Sequence, residues 1–239
     1  MNQHFVEVLK YQRMIAGTLY IVSTPIGNLS DITLRALEVL KNVDVILSED
    51  TRETAKILSK FEIAKKQISY RDQNHSLVMP KILDLLNSGM NLALASDSGT
   101  PLISDPGYKL VRDCIDKGIN VISIPGPSAA LSALSISGLP TDKFVFVGFL
   151  PKQASQRKKL LEKYGKLDCT LVIYESPYRL SKLLSETLNV LGNRKVCIAN
   201  ELTKIYEKVL RGNVINLMAE TENIHIKGEI VFLVAKEGY

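Results

Sequence analysis

The stretch 91–107 (NLALASDSGTPLISDPG) holds the chain's densest set of groups able to grip a ligand. A short apolar run, Leu92 to Ala95, breaks into Ser96, Asp97, Ser98, Gly99, Thr100 and Pro101. A second polar turn follows at Ser104, Asp105, Pro106 and Gly107. The pattern predicts a buried parallel strand, a long loop at its carboxyl end, and a helix over 108–117. A plain strand-to-helix connection needs about two to six residues, and roughly a dozen stand here. Excess ordered loop at that edge of an α/β sheet is where ligands sit. A helix cap, with Ser104 or Asp105 at the N-cap and Pro106 at the first helical position, accounts only for the loop's last residues.

Other strand ends carry reactive types. Glu49 and Asp50 lie in SEDTR (48–52), about where a dinucleotide fold keeps its ribose-binding acid. They are equally placed to stabilise the next helix through its dipole. The preceding loop, STPIGNL, has one glycine, Gly27, where G-x-G-x-x-G needs three, and Pro25 has no N–H for a pyrophosphate. That loop argues against a Rossmann dehydrogenase and against methyltransferases built on the same loop. The chain has no G-x-x-x-x-G-K-[ST], which excludes a P-loop. Tyr174 and Glu175 end another strand before Ser176-Pro177-Tyr178-Arg179. Ser128 and Ala129 open a helix of small residues, suited to close packing or to close approach of a cofactor. His4, His75 and His225 are scattered, and Cys114, Cys169 and Cys197 lack ligand spacing, so neither a metal nor a disulfide framework is expected. His75 reads as a solvated loop histidine.

These residues need a scaffold that brings strand ends together. Apolar runs at 18–23, 43–47, 68–70, 92–95 and 120–124 alternate with helical patterns at 31–40, 53–60, 77–86 and 108–117. Ser30 or Asp31 is the expected cap of the first helix and Thr51 of the second. Strict alternation calls for a mostly parallel sheet with helices on both faces. After Gly138 the rhythm changes. Strands are expected at 144–150, 169–175, 195–200, 206–210 and 229–235, with helices at 153–164 and 179–190. The short link 201–205 predicts an antiparallel pairing of its flanking strands. The fold class is therefore α/β in two domains, a mostly parallel sheet in 1–126 and a mixed sheet in 127–239. The chain is 46% hydrophobic and 23% charged, as globular proteins are, and its net charge of +5 permits a nucleic-acid partner. No apolar run spans a bilayer. Residues 1–16 lack the apolar core of an export signal and read as a short extension or frayed helix.

The segments 19–29, 48–52, 96–107, 125–129 (PGPSA), 138–142 (GLPTD), 147–151 (VGFLP), 174–177 (YESP), 201–204 (ELTK) and 227–231 (KGEIV) resemble, in order and spacing, the ribosomal RNA small subunit methyltransferase I family. The likeness runs from about Gly17 to the carboxyl end. It departs in the loop 70–75, where only Asn74 of the usual L-H-E-H-N-E is kept, at Ser98, and at Tyr178, where the family has His.

The resemblance implies a tetrapyrrole-methylase-like (class III) fold and S-adenosylmethionine as cofactor, held in a cleft between the halves. It implies 2′-O-methylation of a cytidine ribose in the decoding region of 16S rRNA, by a cytoplasmic homodimer acting on the assembled 30S subunit. Cofactor contacts are expected from Pro25, Gly27, Asp97, Ser98, Gly99, Thr100, Ile103, Ser128, Ala129, Tyr174, Glu175 and Leu202. A ribose hydroxyl is a weak nucleophile and needs a base or a polarising cation. Glu49, Asp50, Asp105, Glu201 and Lys204 are the candidates. The basic helix 153–164 is a solvated face or an RNA contact, and Arg52, Asn74, Lys152, Arg157, Lys158, Lys159 and Arg179 are expected at phosphates. Methylation of a tetrapyrrole or another small acceptor, and a non-catalytic RNA-binding module, are the competing functions.

Overall fold

A computed structural model describes residues 16–222 and 226–239. His4, His225 and nearly all of the expected extension 1–16 lie outside them. The described chain forms two compact units. The first holds Leu29–Pro127 and the residues before Ile26; the second holds Ile26–Asn28 and Ser128–Tyr239.

In the first unit, β1 (Thr18–Val22), β2 (Val45–Ser48), β3 (Lys66–Ser69), β4 (Leu92–Ala95) and β5 (Asn120–Ile124) make one sheet in the order β3-β2-β4-β1-β5. Every pairing is parallel. β2 and β4 are buried throughout, as a sheet covered on both faces requires. Side chains alternate between faces, so Leu92 and Leu94 enter one core and Ala93 and Ala95 the other. The four helices are α1 (Leu34–Asn42), α2 (Thr51–Lys60), α3 (His75–Asn87) and α4 (Tyr108–Asp116).

Three helix starts differ from the sequence expectation. Thr33, not Ser30 or Asp31, caps α1, its hydroxyl accepting the Ala36 N–H at 3.1 Å. Residues 29–31 form a separate 3₁₀ turn. Asp50, not Thr51, caps α2 by accepting the Arg52 N–H at 2.9 Å. Gly107, not Ser104 or Asp105, precedes α4, with φ of 132°. A side chain there would meet Leu94 and Leu102, so the backbone reaches α4 through a position that only glycine fills comfortably.

The second unit has a mixed sheet ordered β6-β7-β10-β8-β9. Its strands are β6 (Phe144–Phe149), β7 (Thr170–Glu175), β8 (Lys195–Asn200), β9 (Lys208–Asn213) and β10 (Ile230–Val234). β6 and β7 run parallel; the other pairs are antiparallel, including the expected β8–β9 pair. Its helices are α5 (Ala129–Ile136), α6 (Ala154–Gly165), α7 (Pro177–Leu191) and α8 (Val214–Glu222). Among the described residues no helix is long and apolar enough to cross a membrane.

Candidate functional site

The first unit's candidate site follows from its strand order. β1 and β4 are neighbours, yet the chain leaves β1 for β2 on one side and β4 for β5 on the other. Such a switch point opens a crevice at the carboxyl ends of the two strands. The sequence fills that place with short polar side chains. Thr24 and Gly99 form an isolated antiparallel bridge, with N–H···O distances of 2.8 and 3.1 Å. Gly99 is left-handed, φ 79°, a conformation glycine adopts without strain. The Thr24 hydroxyl donates to the Ser96 carbonyl at 3.1 Å, Ser23 to the Thr100 hydroxyl at 3.2 Å, and Thr100 to the Pro127 carbonyl at 3.2 Å. Of the residues expected at a cofactor, Pro25, Asp97, Ser98, Gly99 and Thr100 share this strand-end region, and Ile103 is half exposed farther along the loop.

An acidic group adjoins it. The Asp50 N–H donates to Asp97 Oδ1 at 2.9 Å, and Arg71 Nε donates to the Glu49 carbonyl at 3.0 Å. Desolvation, and then the neighbouring Asp97 charge, raises Glu49 above the usual carboxylate range; desolvation also raises Asp97. Asp50 behaves oppositely: hydrogen bonds from the Arg52 side chain and N–H hold it strongly ionised. Arg52 is thus already paired, its Nη2 lying 2.6 Å from Asp50, although its side chain stays largely open to solvent. Arg71, from the loop where the motif departs, was not among the expected site residues.

One expectation for the loop after β3 is corrected. His75 is buried, not solvated: one ring nitrogen lies 3.0 Å from the Tyr70 hydroxyl and the other 2.9 Å from Asp113. Asn74 closes the turn: its carbonyl accepts the Arg71 N–H at 2.9 Å and its amide donates to the Ser69 carbonyl at 3.1 Å.

In the second unit, Ile26 packs into a core with Ala130, Leu202 and Val231, so Leu202 contributes packing. Ser128 precedes α5 without a side-chain capping bond. Tyr174 meets Phe146 and Phe149 edge to face. Glu175 is buried. Its Oε1 accepts the Ser176 N–H and Arg179 Nε, both at 2.7 Å, while its buried Oε2 has no hydrogen-bond partner among the described residues. A buried acceptor left open costs stability unless something donates to it.

Arg157 corrects a second expectation. It is only 3% exposed and makes a two-point ion pair with Glu186, both N···O distances 2.7 Å. Its Nη1 also donates to the Pro151 and Lys152 carbonyls. An arginine so engaged cannot reach a phosphate. Its neighbours Lys152, Lys158 and Lys159 are exposed, and Arg179 is committed to Glu175.

The turn after β8 gathers the last candidates. Lys204 Nζ donates to Glu201 Oε1 at 2.8 Å and to Glu229 Oε2 at 3.1 Å. Glu229 lay within a motif but was not singled out, because 25 residues separate it from Lys204. Asp105 is the one remaining candidate base, half buried in the loop before α4. Among the described residues no group of three or more His, Cys, Asp or Glu is arranged to hold a metal ion.

A family model for tetrapyrrole (corrin/porphyrin) methylases matches residues 18–217. The chain is 49% identical over 227 residues to the ribosomal RNA small subunit methyltransferase I of Halalkalibacterium halodurans, covering 95% of this chain and 78% of that protein. To the protein of the same name from Thermotoga maritima it is 46% identical, covering 92% of this chain and all of that one. Among solved structures, a diphthine synthase superposes with a TM-score of 0.72 at 13% identity, over 92% of this chain and 90% of that one. A uroporphyrin-III-C-methyltransferase from Thermus thermophilus gives 0.64 at 20% identity, over 92% and 94%.

Proposed function

This chain belongs to the tetrapyrrole (corrin/porphyrin) methylase family, together with the ribosomal RNA small subunit methyltransferase I proteins, and from that membership we propose that it methylates the 2′-oxygen of a cytidine ribose in small-subunit rRNA. The observation that carries the reading is continuous identity near one half across nearly the whole chain, with rRNA methyltransferases rather than with tetrapyrrole enzymes. The enzyme is S-adenosylmethionine-dependent. The proposal extends to the decoding region as target, the assembled 30S subunit as substrate, a homodimer as the working form and the cytoplasm as its place.

The residues suit this cofactor. S-adenosylmethionine supplies the methyl group, on a sulfur that is already a good leaving group. The Gly99 bridge presents bare backbone beside Thr24 and Thr100, and the open Oε2 of Glu175 is a buried acceptor for a donor group on the ligand. Pro25, Gly27, Asp97, Ser98, Ile103, Ser128, Ala129, Tyr174 and Leu202 complete the proposed contact set. Holding the acceptor oxygen in line provides much of the rate. A protein group must also take the hydroxyl proton, and Glu49, Asp50, Asp105 and Glu201, with Lys204 as cation, are among the groups proposed for that role.

The test uses labelled S-adenosylmethionine and isolated small ribosomal subunits. A 2′-O-methyl ribose cannot be cleaved by alkali at its own 3′-phosphate. Label is expected in an alkali-resistant dinucleotide with cytidine on its 5′ side. Label in free mononucleotides would mean base methylation and overturn the proposal; no label in rRNA would return the small-acceptor reading.

A further inference from the structure

We propose that Lys204 and Glu229 grip the acceptor hydroxyl, Lys204 donating to the ribose oxygen and Glu229 receiving its proton; this rests on the 2′-O-methylation reading above.

The turn 201–204 is built at a cost. Glu201 and Thr203 are left-handed, with φ of 51° and 67°. Neither is glycine, so each holds its backbone in a strained conformation. The turn is held by the Glu201 N–H on the Glu229 carbonyl at 3.0 Å, the Lys204 N–H on the Glu201 carbonyl at 3.0 Å, and the Thr203 N–H on the Glu207 carboxylate at 2.6 Å. Its product is a lysine pinned between two carboxylates.

Two glycines from distant segments make room for it. A Cβ on Gly228 would collide with the Glu201 carboxylate. A Cβ on Gly27 would lie 2.6 Å from Lys204 Cγ. The stem and its anchor are thus shaped from both sides by bare backbone.

The donor and acceptor count then identifies the ligand. An ammonium has three N–H donors. Lys204 spends two, and its side chain keeps 30% of its exposure, so one donor remains for a ligand oxygen. Glu201 is the anchor: its Oε1 accepts both Lys204 and the Glu229 N–H, and its side chain is 20% exposed. Glu229 is the open partner, with a side chain 73% exposed. Two carboxylates around one ammonium repel a phosphate. A neutral hydroxyl, needing one donor and one acceptor side by side, fits. Burial works against the Lys204 charge, but the hydrogen bonds to Glu201 and Glu229 outweigh it and raise its pKa, so it acts as a cation and not as a base. Burial likewise opposes the Glu201 charge, yet Lys204 and the Glu229 N–H keep Glu201 below its ordinary value. Glu229 is the acceptor left.

The step balances. The ribose oxygen gains the methyl carbon as that carbon's bond to sulfur breaks. The electron pair leaves with sulfur, and the hydroxyl proton passes to Glu229 and on to water.

The experiment is single-turnover methylation of small ribosomal subunits by wild type, Lys204→Met, Lys204→Arg and Glu229→Gln, from about pH 5.5 to about pH 9. It is read beside calorimetric affinity for S-adenosylmethionine and the thermal midpoint. Loss of a general base or a fixed cation slows such a step by about 10²–10⁴-fold. Lys204→Met and Glu229→Gln are expected to lose that much rate with cofactor affinity unchanged, Glu229→Gln with an unchanged midpoint as well, and Lys204→Arg to recover part. Glu229→Gln should climb with hydroxide through the range, whereas wild type should not. Wild-type rates in Lys204→Met and Glu229→Gln, a wild-type pH profile in Glu229→Gln, rate losses matched by lost cofactor affinity, or a Glu229→Gln loss matched by a lowered midpoint would each overturn the assignment. Those outcomes need wild type to label ribose; if it does not, the 2′-O reading fails first and separately.

Discussion

Gly99 compresses the site's requirements into one residue. Its N–H and carbonyl are both spent on Thr24, and its φ of 79° lies where a side chain is strained. Replacing it by alanine should cost about 1 kcal/mol through that strain alone. Gly99→Leu adds bulk beside backbone proposed to meet the cofactor, and is expected to abolish S-adenosylmethionine binding while the protein still unfolds cooperatively. Calorimetry decides: a leucine variant that binds as wild type does would remove this loop from the contact set. The loop's importance was legible from its length and polarity. The Gly99 bridge was not, because its partner Thr24 stands 75 positions earlier and no local pattern joins them. His75 was misread for the same reason. Its partners Tyr70 and Asp113 come from different elements, and a histidine in a polar stretch looks solvated until α4 covers it.

At the scale of elements, Arg157 explains how α6 and α7 are fastened. It faces inward from α6, meets Glu186 on α7, and bonds the Pro151 and Lys152 carbonyls; Arg179, at the start of α7, is committed to Glu175 at the end of β7. Breaking a buried pair by removing one partner costs about 3–5 kcal/mol, because the other charge is stranded. Arg157→Met should therefore destabilise by that amount in denaturant titration, and the double variant Arg157→Met/Glu186→Leu by much less. A double variant as unstable as the single one would show that the backbone bonds dominate. The pair also fixes a pH dependence. The Arg157 hydrogen bond holds Glu186 below the ordinary glutamate value of 4.5. A depressed carboxylate contributes stability that is full above its unfolded pKa and is lost as pH falls through the folded one. The stability gap between wild type and Glu186→Gln should thus narrow below about pH 4.5 and not change between pH 6 and 8; a gap that widens on acidification would reverse the sign. The α/β alternation, the parallel sheet and the β8–β9 pair were legible because period and connection length set them. Helix α8 was not. It follows β9 directly, with no connecting loop to mark its start. Its first N–H groups are satisfied from afar, Val214 by the Arg194 carbonyl at 3.0 Å and Ile215 by the Asn193 side chain at 3.0 Å.

For the whole molecule the question is what holds RNA. A net charge of +5 on 239 residues is too diffuse to bind a folded ribosomal subunit tightly. Affinity has to come from local lysines that are exposed and unspent. Removing Arg157 from the expected set sharpens that search. On α6 the exposed cations are Lys158, Lys159 and Lys163, and Lys152 stands just before it. Reversing Lys158 and Lys159 to glutamate should weaken subunit binding and lower the slope of log affinity against log salt by about one to two, since each lost phosphate contact releases about one fewer counterion. S-adenosylmethionine affinity and the thermal midpoint should hold, because neither lysine is buried. Arg157→Met, by contrast, should lower the midpoint before it touches the salt slope. A double reversal that keeps the wild-type slope would make α6 a solvated face and move the RNA to the basic residues elsewhere on the molecule.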